Sequence, residues 1–152
     1  MNGVKLSEHF SLYEARCRCG CKVEAEYIPE LKAQAERNES FRADLNEDGH
    51  LIDERLLAGG KFRLIPMSWI RCSIHNKAEG GADASRHLPY NCDATDLACP
   101  ELPTETLYKK AQKHYNRVIW YRGRNFVHCD NKPGPPQYWV KAPSKTIEPA
   151  TA

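Results

Sequence analysis

The chain has 152 residues, of which 28% are charged and 41% hydrophobic, and its formal net charge is +2. This length fits one compact domain, which we expect over residues 1–142, with a flexible tail over 143–152. The mild charge argues against a nucleic-acid partner, which would require a dense basic stripe. Because no apolar run could span a bilayer and the first residues lack the core of a secretion signal, we expect a protein made in the cytoplasm without a membrane partner. We also expect a monomer.

The N-terminal region carries a helix signal followed by a cysteine run. Ser11 and Glu14 have the spacing of a capping box, which predicts a short helix. Residues 17–21 read Cys-x-Cys-x-Cys, and the seven cysteines form an odd set that favours free thiols over a disulfide framework. The run can hold a metal, but no matching Cys or His pair lies at zinc-ribbon spacing. A packed turn with reduced thiols is the competing interpretation.

A helix and a partial calcium motif follow. Pro29 suits the first turn of a helix, and residues 30–37 are rich in helix formers. Asp44, Asn46 and Asp48 then supply oxygens at positions 1, 3 and 5 of a calcium loop, with glycine at position 6. The match ends at position 12, where arginine replaces the usual glutamate. A calcium site therefore competes with an Asx-rich turn that leads into a helix over 52–58.

The central region alternates polar and apolar residues. Residues 61–71 predict a strand, in which Pro66 indicates an edge or a bulge. Residues 72–84 contain little apolar material and predict a long loop. Residues 93–98 predict the next strand, and because Leu97 should face the core, Asp96 should point the other way, into a groove.

The remaining elements are predicted from periodicity and turn residues. A helix should begin at Pro103 and run to about Asn116, with one apolar stripe. A hairpin and a final strand should follow. We expect the hairpin strands at 118–121 and 126–130 and the final strand at 137–141.

Three side chains have the chemistry of an open zinc site. His87 lies on a turn, a carboxylate lies on the strand that follows, and His128 comes later in the chain. Two imidazoles and one carboxylate are a usual ligand set for catalytic zinc, with the fourth position left to water. The sequence therefore predicts one catalytic zinc ion.

Several short runs then carry a family resemblance. In this sequence they stand at 10–14, 68–71, 75–76, 80–81, 85–88, 94–97 and 126–130. Their order and spacing resemble those of the zinc D-Ala-D-Ala carboxypeptidases and related peptidoglycan peptidases of the M15 class. The agreement covers most of the region 62–139, and a weaker resemblance is present at residues 10–14.

The resemblance implies a fold and a set of site residues. The fold would be α+β of the hedgehog/D,D-peptidase type, a small antiparallel sheet with helices on one face and a zinc groove on the other. The zinc ligands map onto His87, Asp96 and His128. Arg71 matches the arginine that holds the substrate's carbonyl or carboxylate, and Ser85 matches the serine two residues before the first ligand, which we assign to substrate binding.

Two departures from the family pattern affect this assignment. Asp96 lies nine residues after His87 instead of seven, so Asp93 is the rival ligand; we favour Asp96 because two added residues can be looped out before the strand. Asn125 stands where several relatives carry a carboxylate as general base. We therefore assign Asp130 either as the base or as the group that orients His128.

These observations lead to an expected function. We expect zinc-dependent hydrolysis of peptide bonds in bacterial peptidoglycan, by a D,D-carboxypeptidase or a stem or cross-bridge endopeptidase. Its partners would be peptidoglycan peptides, and it would act on the cell wall, as a phage lysis enzyme does when another protein opens the membrane. The alternative is a non-hydrolytic zinc-containing wall-binding or virion structural module, which Asn125 favours.

Overall fold

The computed structural model describes residues 4–47, 62–82 and 84–142. In chain order, these residues form four α-helices, one short 3₁₀ helix and five strands. The N-terminal elements are α1 (Leu12–Ala15), the 3₁₀ helix (Ala25–Tyr27) and α2 (Ile28–Glu47). The others are β1 (Ile65–Ser68), α3 (Ser73–Ala78), β2 (Ala94–Ala98), α4 (Thr104–Ala111), β3 (Arg117–Tyr121), β4 (Val127–Asp130) and β5 (Gln137–Lys141).

The expected α+β class is confirmed, with one correction to the sheet. The strand order is β1-β2-β4-β3-β5, and β5 runs parallel to β3, so the sheet is mixed instead of purely antiparallel. After β4, the chain passes the start of β3 and reaches the side of β3 that faces away from β4. β5 then runs in the same direction as β3. Asn116 anchors this crossing, because its side-chain amide donates a hydrogen bond to the Gly134 carbonyl (3.0 Å) and its backbone N–H donates to Asn131 Oδ1 (2.8 Å).

The first strand behaves as its proline predicts. β1 lies at the edge of the sheet, and its pairing with β2 is irregular between Pro66 and Ser68. Proline cannot donate a ladder hydrogen bond, so it is found at edges and bulges. Both features agree with the presence of Pro66 in this strand.

One face of the sheet packs against α2 and α4. Thr95 of β2 is fully buried, and its Oγ1 accepts hydrogen bonds from Gln34 (3.1 Å) and Asn38 (3.3 Å) of α2. Leu97 follows on the same face of β2 and is buried in the core. The alternation along β2 therefore turns Asp96 to the opposite face, as the sequence predicts.

The N-terminal segment supports the end of β1. Ser11 and Glu14 form the predicted capping box at α1. Phe10 packs edge-on against Trp69, with 6.1 Å between the ring centroids, and the Ile70 N–H donates to the Ala15 carbonyl (3.1 Å). The backbone at Trp69, which contacts the candidate site, is held by these contacts.

The helix bounds differ from those expected. α2 continues past residue 37 to Glu47, whereas α4 ends at Ala111, before the expected end at Asn116. The expected loop over 72–84 contains α3, so that prediction was wrong for six residues. None of the helices in the described ranges combines the length and the apolar composition of a membrane span.

The calcium prediction finds no support among the described residues. Asp44 and Asn46 lie in the last turns of α2 instead of a loop. Asp44 Oδ2 is 2.7 Å from His114 Nε2, and Asn46 Oδ1 accepts a hydrogen bond from the Phe62 N–H (3.0 Å). Asp48, the expected helix over 52–58 and the expected tail over 143–152 lie outside the described residues.

Candidate metal centre

A row of side chains crosses the second face of the sheet, one from each strand. Direct pairing joins Ser68 to Asp96, Asp96 to His128, His128 to Ile119 and Ile119 to Trp139. All five line a groove of about 1050 Å³. Asp96 and His128 therefore meet because their strands are neighbours in register, although they are distant in sequence.

His87 completes a cluster with these two residues. Its Nε2 lies 3.3 Å from Asp96 Oδ1 and 3.2 Å from His128 Nδ1, and the same His128 atom lies 3.1 Å from Asp96 Oδ1. Zinc bonds of about 2.0–2.1 Å in a tetrahedron place neighbouring donor atoms about 3.3 Å apart. The three donor atoms therefore have the separations that one zinc ion requires.

The backbone of Trp69 orients His87. His87 is buried, and its Nδ1 lies 2.6 Å from the Trp69 carbonyl oxygen, which can only accept. The proton of the neutral ring is thus on Nδ1, and the lone pair of Nε2 points at the cluster. This arrangement is the one that a histidine ligand needs.

Asp130 orients His128 in the same manner. Asp130 Oδ2 lies 2.6 Å from His128 Nε2, so Nδ1 of His128 is left for the cluster. The same carboxylate accepts hydrogen bonds from Arg117 Nε (2.8 Å) and from the Lys132 N–H (2.9 Å), and it is fully buried. Oδ2 is thus shared by His128 and Arg117, and Oδ1 is taken by the Lys132 backbone.

Electrostatics favour a positive charge within the cluster. Burial alone would raise the pKa of Asp96, but the facing His87 and His128 hold it well below its usual range. Burial alone would lower the pKa of His128, but hydrogen bonds and charge from Asp130 and Asp96 raise it to about 9. A carboxylate packed against two imidazoles therefore favours a cation between them, either a proton or a metal ion.

Arg71 lies beside the cluster on the groove wall. Its guanidinium donates to Ser68 Oγ (3.1 Å) and Asn76 Oδ1 (3.1 Å), and it lies 3.4 Å from Asp96 Oδ2. Three side chains from different segments thus hold the planar group in place. A guanidinium in this position can bind a carboxylate or a developing oxyanion.

Gly81 permits the close approach of Asn76 and Arg71. A Cβ at position 81 would overlap Asn76 Oδ1 and would lie 2.7 Å from Asn76 Cγ and 3.0 Å from Arg71 Nη1. We expect Gly81→Ala to lower the free energy of unfolding by about 1–3 kcal/mol, the usual cost of overpacking. Denaturant unfolding measures this change. The cost should be smaller in an Asn76→Ala background, where the overlapping atoms are gone; equal costs in both backgrounds would contradict the explanation.

Ser85 and Asp93, the two other residues considered from sequence, have defined positions. Ser85 lines the groove, and its Oγ accepts a hydrogen bond from the His87 N–H (3.1 Å), so it stabilises the turn that carries this histidine. Asp93 makes a bidentate ion pair with Arg86, in which Oδ1 accepts from Nε (3.0 Å) and Oδ2 accepts from Nη2 (2.6 Å). The structure thus brings Asp96, and not Asp93, to the two histidines.

Some contributors were missed by sequence reasoning. The Trp69 carbonyl has no sequence signal, since any residue carries one. Arg117 is one of many arginines, and only its pairing with Asp130 across β3 and β4 distinguishes it. The register of the predicted hairpin could have indicated this pair, because it places Arg117 opposite Asp130.

The arrangement fits a catalytic metal centre. Two imidazole nitrogens and a carboxylate oxygen converge, the second nitrogen of each ring is hydrogen-bonded, and the cluster lies in a groove. When bound, zinc would polarise a carbonyl and lower the pKa of a water molecule to about 7. The matching cation for the substrate's oxygen would be Arg71.

Comparison with known proteins matches the central part of the chain to one family. A family model described as Peptidase M15 matches residues 59–130. The match spans all three clustered ligand candidates and Arg71. No curated protein matches the chain significantly. The match over residues 59–130 supports membership of the peptidase M15 family.

Proposed function

We propose that the chain is a zinc-dependent peptidase that hydrolyses amide bonds in bacterial peptidoglycan, either as a D,D-carboxypeptidase or as a stem or cross-bridge endopeptidase. The observation that carries the proposal is the convergence of His87, Asp96 and His128 in a groove with Arg71 on its wall. The proposed partner is a peptidoglycan peptide bound by a monomer. The site of action would then be the cell wall, as for a phage-type lysis enzyme.

Each groove residue would have a different role in hydrolysis. His87, Asp96 and His128 would hold the metal, which supplies the Lewis acid. Arg71 would bind the substrate's carboxylate or carbonyl oxygen and stabilise negative charge as it develops there. Asp130 would keep His128 in the tautomer that leaves Nδ1 free.

Of the two roles considered for Asp130, the geometry supports orientation of His128. Among the described residues, its hydrogen bonds and ion pairs are to His128, Arg117 and the Lys132 backbone, and the side chain is fully buried. A general base must reach the attacking water. Asp130 is therefore proposed as a positioning residue.

Asp130→Asn should weaken zinc binding and reduce kcat/KM by about 10- to 100-fold each, since outer-shell partners of metal ligands have effects of this size. Zinc affinity by competition with a chromophoric chelator, together with kinetics, measures both. Asp93→Asn is the matched control, because it breaks another buried Arg–Asp pair without touching a ligand. It should leave zinc affinity unchanged. An Asp130→Asn protein with wild-type zinc affinity would refute the positioning role.

The function is tested on purified peptidoglycan fragments. The protein is incubated with pentapeptide-bearing and cross-linked fragments, with zinc or with a chelator, and new termini are identified by mass spectrometry. Loss of one terminal alanine indicates a carboxypeptidase, and conversion of dimers to monomers indicates an endopeptidase. Either reaction should disappear with chelator and in His87→Ala.

A non-hydrolytic zinc-containing wall-binding or virion module is the second candidate. It is favoured by Asn125, which lies exposed before β4 and whose amide cannot accept a proton from water. In the same experiment this module would bind zinc and leave every fragment intact. That result would overturn the peptidase proposal.

A further inference from the structure

A second cluster of metal-binding side chains lies outside the groove. Cys17, Cys19 and Cys21 come from the segment between α1 and the 3₁₀ helix, and Cys72 lies directly before α3. Their four Sγ atoms all lie within 4.8 Å of one another, and none of the four cysteines is in a disulfide. The fourth thiol of the cluster is therefore that of Cys72, which lies more than fifty residues after Cys21. The sequence alone did not indicate that it joins the other three.

Two of the three sulfur separations match a tetrahedral thiolate site, and the third is shorter. Zn–S bonds of about 2.3 Å place the sulfurs of a tetrahedron about 3.8 Å apart. Cys72 Sγ lies 3.8 Å from Cys17 Sγ and 3.7 Å from Cys19 Sγ, and the Cys17–Cys19 separation is 3.2 Å. All three separations are far longer than a disulfide bond of about 2.05 Å. The thiols are thus grouped around a point and are not joined in pairs.

Backbone donors point at two of the sulfurs. The Cys72 N–H donates to Cys17 Sγ (3.5 Å), and the His75 N–H donates to Cys72 Sγ (3.4 Å). Hydrogen bonds of this kind stabilise thiolates and are the usual outer contacts of metal-bound sulfur. Gly20, at φ +87°, forms the turn that folds the segment back, with its N–H donating to the Cys17 carbonyl (3.0 Å).

Local charge complements a tetrathiolate. Four thiolates around one divalent cation carry a net charge of −2, and the same segment contains Arg16, Arg18 and Lys22. Arg18 also donates to the Pro66 carbonyl (3.1 Å), which ties the segment to β1. The positive side chains of the segment have the charge that complements the cluster, and the Arg18 contact holds the segment against β1.

We propose that Cys17, Cys19, Cys21 and Cys72 bind one zinc ion in a structural site separate from the groove. The soft thiolate set selects zinc over calcium or magnesium. Because the cluster offers four protein ligands, it has the closed character of a structural site. The ion would join the N-terminal segment to the residue after Arg71, and so fix the backbone from which this arginine reaches the groove.

The proposal is tested by metal content in a protein without the groove histidines. His87→Ala/His128→Ala, purified reduced with zinc, should retain one zinc per chain, and adding Cys21→Ser should remove it and lower the melting temperature. Cys99→Ala, a cysteine outside the cluster, is the matched control and should retain the zinc. Absence of zinc from the double-histidine protein would overturn the proposal, whatever the peptidase activity of the wild type.

Two further measurements detect the metal-bound thiolates directly. Cobalt bound in the double-histidine protein should show intense thiolate-to-metal charge-transfer absorption. In the zinc-loaded wild type, the four cluster cysteines should resist alkylation, as read by peptide mass spectrometry, and should become reactive when a chelator is added. Cys19 and Cys21 are exposed, so their protection would come from the metal. Equal alkylation with and without chelator would also overturn the proposal.

Discussion

Replacing His128 by alanine is expected to remove the groove zinc and to abolish peptidoglycan hydrolysis. The loss should exceed the roughly 10- to 100-fold that follows removal of an outer-shell partner, because a ligand itself is lost. His128 also separates two carboxylates, being 3.1 Å from Asp96 and 2.6 Å from Asp130. Without its imidazole these negative charges face each other, so an added metal has one ligand fewer and a disturbed pocket.

Zinc content by mass spectrometry and fragment hydrolysis measure this effect. His114→Ala is the matched control, since His114 pairs with Asp44 near the end of α2. The control should keep both the zinc and the activity. A His128→Ala protein that still hydrolyses fragments at the wild-type rate would exclude the proposed centre.

Replacing Arg71 by alanine is expected to reduce kcat/KM by about 10²- to 10³-fold, the range for losing one group that stabilises an oxyanion. Zinc content should remain unchanged, because Arg71 contacts Asp96 only through the oxygen that does not face the histidines. This separation of activity from metal content distinguishes a substrate-binding cation from a ligand support. Steady-state kinetics and metal analysis of the same preparation measure the two quantities.

Two further variants sharpen the test of Arg71. Arg71→Lys keeps the charge but loses the planar fork that contacts Ser68 and Asn76, so it should recover only part of the activity. Arg63→Ala removes an exposed arginine paired with Glu101 and should have no effect on hydrolysis. Equal loss of activity in Arg63→Ala, or normal activity in Arg71→Ala, would contradict the proposed role.

Much of the fold follows from local patterns in the sequence. Ser11 and Glu14 predict the cap of α1, Pro66 predicts the irregular edge strand, and alternation in β2 places Leu97 and Asp96 on opposite faces. Each of these rules depends only on residues that are close together in the chain, so each feature can be predicted from the sequence alone. The choice of Asp96 over Asp93 depended on the same alternation.

Other features depend on contacts that no local pattern encodes. α3 has only six residues, which is too short to show helical periodicity in the sequence. Its N-terminus is capped by the Cys72 thiol, which accepts a hydrogen bond from the His75 N–H. The parallel pairing of β5 with β3 depends on where the chain crosses at Asn116. Cys72 meets the Cys17–Cys21 run only after folding, so metal-ligand spacing could not indicate it.

The pairing of β2 with β4 also determines how a bound ion could leave. Asp96 and His128 are direct partners in that ladder, so moving them apart requires several interstrand hydrogen bonds to break together. His87 lies instead on a turn outside the sheet. Its ring contacts the Trp69 carbonyl, its N–H donates to Ser85 Oγ, and its carbonyl accepts from the Arg71 N–H (2.8 Å). None of these three contacts belongs to the β2–β4 ladder, so a bound ion could lose His87 while both strands stay paired, and its release would begin at the His87 turn.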